Sequence, residues 1–107
     1  MLEKRIKQME ETEMLSDYEH LYYEIGHDLG FLNDWMGNNI AKVQAKRQEI
    51  REKNPEFSIA ALDREFELTE EYLMEKKYKY NIAGLVAMKN AIRVKVESMR
   101  AESRGQY

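Results

Sequence analysis

Apolar and aromatic residues recur through the first half of the chain at Tyr18, Tyr22, Ile25, Leu29, Leu32, Met36, Val43 and Ile50, with polar Asn39 and Arg47 at two of the positions in phase. Steps of three and four belong to a helix that buries one face, whereas a half-buried strand alternates. Ser16-Asp17-Tyr18-Glu19 has the form of a capping box, in which the hydroxyl and the carboxylate each satisfy an unpaired backbone N–H, and predicts the start of this helix. Gly26 and Gly30 stand four apart and leave room for another helix to approach. Gly37-Asn38-Asn39 is the candidate break. Asn54-Pro55 is the clearest punctuation, because proline has no amide donor and disfavours helical geometry in the residue before it.

The first long helix is therefore expected to end near Lys53, with a turn near 54–57 and Ser58 capping the next segment. Ile59, Leu62, Phe66 and Leu73 would form the buried side of that segment. From Tyr78 the pattern continues as Ile82, Leu85, Lys89, Ile92, Val96 and Met99, the alternating four-three spacing of a coiled-coil seam interrupted only by Lys89. The second segment reads as one helix from about 58 to 103, with Gly84 or the shift of pattern at Lys76-Lys77 as its bending points. Residues 1–13 form a short helix through Leu2, Ile6 and Met9 or a tail, and residues 14–107 the hairpin.

Charge sharpens this outline. The net charge of −3 resolves into blocks: +2 over residues 1–7, −8 over 8–41, +3 over 42–53, −6 over 54–75 and +6 over 76–107. Folding the chain back at Pro55 sets residue i roughly beside residue 111 − i, and each helical block then faces one of opposite sign. Single exposed pairs contribute little, but their sum disfavours parallel or shifted pairings. The predicted fold class is all-α, a long antiparallel helical hairpin with coiled-coil character. Two helices enclose no complete core, so oligomerisation or a protein partner is expected to finish it.

Composition removes several chemistries. The 107 residues, 35% charged, include no cysteine, which excludes disulfides and thiolate metal sites. No apolar run reaches the roughly 18 residues a membrane span needs, and the first residues lack the apolar stretch of a secretory signal; a cytoplasmic protein without a membrane partner is expected. His20, Glu24 and His27 share a helical face, and Glu24-x-x-His27 has the spacing used in di-iron bundles. Those are the only two histidines, so a solvated face is the expectation and no metal or cofactor is assigned. No phosphate-binding glycine loop or serine nucleophile elbow is present, and no catalytic residue is assigned.

Two patterns remain as candidate binding chemistry. Lys76, Lys77, Tyr78, Lys79 and Tyr80 interleave cations with aromatic rings, and Lys89, Arg93, Arg100 and Arg104 continue as a stripe. Single-stranded nucleic acid is held by phosphate neutralisation with base stacking, so Lys76, Lys77, Lys79, Tyr80, Lys89, Arg93 and Arg100 are the candidate contacts. The competing expectation is that these cations answer the acidic helix opposite. The seam of Tyr78, Ile82, Leu85, Ile92, Val96 and Met99, with Trp35, is the candidate assembly surface.

Leu32-Asn33-Asp34-Trp35-Met36, then Ile40-Ala41-Lys42-Val43-Gln44-Ala45-Lys46-Arg47 and a C-terminal helix over 91–101, resemble the layout of T-even phage recombination mediators of the UvsY type. That resemblance implies a ring-forming helical protein that binds single-stranded DNA and helps load a recombinase. The basic residues of 42–53 and 76–104 would touch DNA, and Ile92, Val96 and Met99 would carry assembly. Trp35-Met36-Gly37 also resembles the signature of the WXG100 secreted proteins, which implies a turn between two long helices at that tripeptide. The expectation from the sequence is a non-enzymatic helical assembly or interaction protein, phage-type and accessory to DNA recombination or replication, or else an adaptor or inhibitor indifferent to DNA.

Overall fold

The computed structural model describes residues 1–105. They form α1 (Leu2–Glu11), α2 (Leu15–Lys53), α3 (Ile59–Glu67) and α4 (Glu70–Gly105), and no strand occurs among them. The chain divides into two compact units, one of Met1–Leu32 with the part of α4 from Asn81 onward, the other of Asn33–Tyr80. α2 and α4 contribute to both. In each unit their segments run antiparallel, as the all-α hairpin class requires.

In the first unit Leu21, Ile25 and Leu32 of α2 and Leu85, Met88, Ile92 and Val96 of α4 are buried, together with Leu2 of α1. Each set follows the helical period, so burial of one stripe per helix explains why these residues fold as helices. Tyr22 meets Lys89 in the expected register, the ammonium 4.9 Å from the ring centroid. Arg100 reaches Glu19 at 2.9 Å, about two helical turns out of that register. α1 supplies what the hairpin alone lacks, a third helix. Its Leu2 side chain fills the space over Gly84, where an added Cβ would collide with one leucine methyl and crowd the other and Cγ. The Leu2 N–H donates to Asn81 Oδ1 at 3.2 Å. Ile6 stays exposed and Met9 half-buried, so α1 docks through its first turn.

In the second unit only Val43 and Phe66 are fully buried. Trp35 stacks on Tyr78 with centroids 3.7 Å apart. Arg47 lies 3.9 Å over the Phe66 ring and 3.4 Å from Asp63. The turn is local chemistry. Asn54 donates from its backbone and its side-chain amide to Ile50 O, Pro55 follows, Phe57 N–H donates to Asn54 O, and Ser58 Oγ accepts from Ala61 N–H at 3.2 Å.

Several expectations need correction. α2 starts at Leu15, where Met14 O accepts from the N–H groups of Asp17 and Tyr18, so Ser16 lies inside the first turn and does not cap it. Gly37-Asn38-Asn39 is no break: no glycine has positive φ, and Asn39 Nδ2 donates to Trp35 O at 2.8 Å within an unbroken α2. The turn implied at Trp35-Met36-Gly37 is therefore absent. The second segment is not one helix, although α4 runs without a break through both Lys76-Lys77 and Gly84. The break lies at Leu68-Thr69, where Thr69 Oγ1 donates to Phe66 O at 2.6 Å and accepts from Tyr72 N–H at 3.2 Å. Glu70 and Glu71 then face the positive end of α4. Ile59, 80% exposed at the start of α3, and Leu73, 63% exposed in the first turn of α4, lie outside the core, so the single apolar stripe expected through both is split by the break between the two helices.

Two glycine substitutions separate packing from propensity. Gly84→Ala is expected to lower unfolding stability by about 1–2 kcal/mol, because a methyl group there displaces Leu2. Gly37→Ala, which meets nothing within 4 Å, is expected to raise it by about 0.5–1 kcal/mol. Urea denaturation of the two variants beside the wild-type chain checks both signs.

Candidate functional site

The cations singled out in the sequence fall into two groups. In the second unit Lys79 pairs with Glu75 at 2.8 Å, Lys76 lies 5.8 Å over the Tyr72 ring, Lys77 is exposed but partnered, and Tyr80 is exposed. In the first unit Lys89 sits over Tyr22, Arg100 is paired with Glu19, and Arg93 is exposed. Most of these charges are thus answered within the chain. Lys89 passes close to Gly26 on α2, where an added Cβ would stand in ordinary contact 3.7 Å from its Nζ.

The seam residues face inward. Leu85, Ile92 and Val96 are buried in the first unit, and Tyr78, Ile82 and Met99 are half-buried, as is Trp35 against Tyr78. α1 and α2 cover the first-unit part of this seam, so those side chains are not presented to another chain while α1 is docked.

Geometry adds a feature the sequence reading missed. Tyr22 and Tyr23 meet edge to face with centroids 6.0 Å apart. Adjacent helical residues point about 100° apart, so Tyr22 turns inward under Lys89 while Tyr23 stands outward, 71% exposed. Beside them a cleft of about 220 Å3 is floored by Val96 and rimmed by Arg93, Arg100, Glu19 and Glu97. An exposed ring next to Arg93 can stack a planar group and neutralise an anion. The Tyr22-Tyr23 doublet was the available signal. In the second unit Trp35, Met36, Ile40, Val43 and Met74 line an open groove of about 330 Å3, with Arg47 and Lys79 at its rim.

The acidic face of α2 is organised by α1. Arg5 grips Asp28 through two bonds, Nε to Oδ2 at 2.5 Å and Nη2 to Oδ1 at 3.1 Å, and Glu24 Oε2 through Nη1 at 2.5 Å. Its side chain is 12% exposed. The hydrogen bond to Asp28 raises the guanidinium above its ordinary value, against the opposing effect of burial. Stability from a raised base is present below its unfolded pKa and lost only as pH rises through the folded one, so on the alkaline side this cation keeps its charge throughout the usable range. Glu24 Oε1 also lies 2.8 Å from His20 Nε2. The Glu24-x-x-His27 spacing therefore meets a carboxylate already engaged by Arg5. Among the described residues no group of three metal-ligating side chains is close enough to hold an ion. At the end of α2, Glu49 is lowered, chiefly by the Lys53 hydrogen bond and then by Lys46. That support for the last turn is present above the ordinary glutamate value and lost as pH falls through the lowered one.

No helix of the described residues is long and apolar enough to cross a membrane. No family model, curated protein or solved structure matches this chain.

The single tryptophan reports on the second unit. Tyr78→Leu removes the ring stacked on Trp35 and is expected to shift tryptophan emission to the red while lowering stability by about 1 kcal/mol. Fluorescence-monitored unfolding checks both.

Proposed function

We propose that the chain is a non-enzymatic helical interaction protein that acts by associating with itself. The observation that carries this reading is the set of large apolar side chains left outside the core, Tyr23, Phe31, Ile40, Ile59, Leu68, Leu73, Tyr80 and Val94, against only ten buried apolar residues among those described. Exposed apolar side chains are the surface that association would cover. The open groove beside Trp35 supports the same reading. The cytoplasm is the proposed place of action.

A second reading has its own support. Tyr23 beside Arg93, with Lys89 over Tyr22, gives a stacking ring and cations suited to single-stranded DNA, as an accessory factor of phage-type recombination or replication requires. The pairing of Lys79 and Arg100 with carboxylates favours the DNA-indifferent form.

Light scattering of the purified chain across concentration, with and without a single-stranded oligonucleotide, tests both. Association predicts a mass that rises with concentration, and a monomer at every concentration rejects it. DNA binding predicts complexes at low salt that weaken steeply as salt rises and are lost in Tyr23→Ala; a mass unaffected by oligonucleotide at low salt leaves the DNA-indifferent form.

A further inference from the structure

The three breaks between the helices are unlike one another. Between α2 and α3 stands Asn54-Pro55, and between α3 and α4 the Thr69 hydroxyl caps the next helix. Between α1 and α2 there is only Thr12-Glu13-Met14, and from Met1 to Ile25 the chain has neither glycine nor proline. Thr12 Oγ1 bonds back to Gln8 O at 2.5 Å, a contact that a continuous helix also allows. The Met14 side chain is exposed. Straightening this bend would give helical partners to carbonyls at the end of α1 and to N–H groups at the start of α2 that lack them where the two helices part.

What bends the chain is tertiary. Leu2 rests over Gly84, its N–H donates to Asn81, and Arg5 grips Glu24 and Asp28. Ten residues are too few for a helix to be stable alone, and a single fully buried side chain holds this one. Once α1 leaves, its site offers a notch at Gly84 and two carboxylates one turn apart on α2. The segment that matches this site is α1, with Leu2 and Arg5 at the required spacing and a +2 block facing a −8 block. A second copy of the chain presents the same site.

We infer that α1 is an exchangeable arm: Thr12-Glu13-Met14 straightens into helix, and α1 docks on a second copy, Leu2 over Gly84 and Arg5 on Glu24 and Asp28 of that copy. The exchanged pair repeats every contact of the closed chain and differs from it only at the bend and in the concentration-dependent cost of association. This inference rests on the self-association proposed above and names its route.

Glu13→Pro tests it. Thr12 already has φ −88° and ψ 130°, the extended backbone favoured before a proline, whereas proline inside a continuous helix breaks it. Light scattering of the full chain over a concentration series is expected to show the Glu13→Pro dimer weakened at least tenfold, with a thermal midpoint no lower than that of the wild-type chain. Gly84→Leu fills the notch in either arrangement and is expected to lose the dimer as well. A dimer that keeps its wild-type dissociation constant in either variant overturns the exchange and leaves self-association standing. A wild-type chain that stays monomeric throughout overturns both.

Discussion

Arg5 sits where three demands meet: a short helix must be placed, two carboxylates on successive turns must be neutralised, and a leucine must be brought over a glycine. Its guanidinium bonds to both Asp28 oxygens and to Glu24 from within a largely shielded site. Charge-assisted bonds of this geometry are directional as well as strong, so they set where α1 lies and not only whether it binds. With α1 so placed, Leu2 reaches Gly84 and closes the core formed by Leu21, Ile25, Leu85 and Ile92. The apolar notch without the fork would leave two acidic groups facing each other across a turn.

The second unit shows what an α2–α4 pair looks like with less cover. α3 buries Phe66 and brings Asp63 to Arg47, but Trp35, Met36, Ile40 and Met74 remain along an open groove. Unequal closure explains why apolar side chains stay along an open groove there, although Leu85, Ile92 and Val96 of α4 are buried in the first unit. It also bears on the cations. Lys89 lies over Tyr22 and Arg100 is paired with Glu19, so these cations of α4 answer the acidic half of α2.

Much of this was legible in the residues. The four-three seam foretold which side of α4 is buried, and Asn54-Pro55 with Ser58 foretold the turn, because period and backbone chemistry are local. The sign of the N-terminal block was visible too, yet which acids Arg5 would choose was not, since that depends on where α1 lies in space. Thr69-Glu70-Glu71 carried a helix-start signal that the longer apolar pattern around it obscured. Gly37 misled in the opposite sense: glycine permits a turn, and here the packing of Trp35 and Val43 on either side keeps the helix running. Of the candidate binding residues, the cations were foreseen, whereas Tyr23 became visible only when α4 placed Arg93 beside it.

α1 closes the core of the first unit through Arg5 and Leu2. Native-state hydrogen exchange of the amides of Leu21, Ile25, Leu85 and Ile92 tests it most directly, in the wild-type chain and in Leu2→Ala combined with Arg5→Met. These four amides are expected to exchange at least tenfold faster in the double variant, while those near Val43 and Phe66 change little. Equal protection of all four in both chains would contradict it.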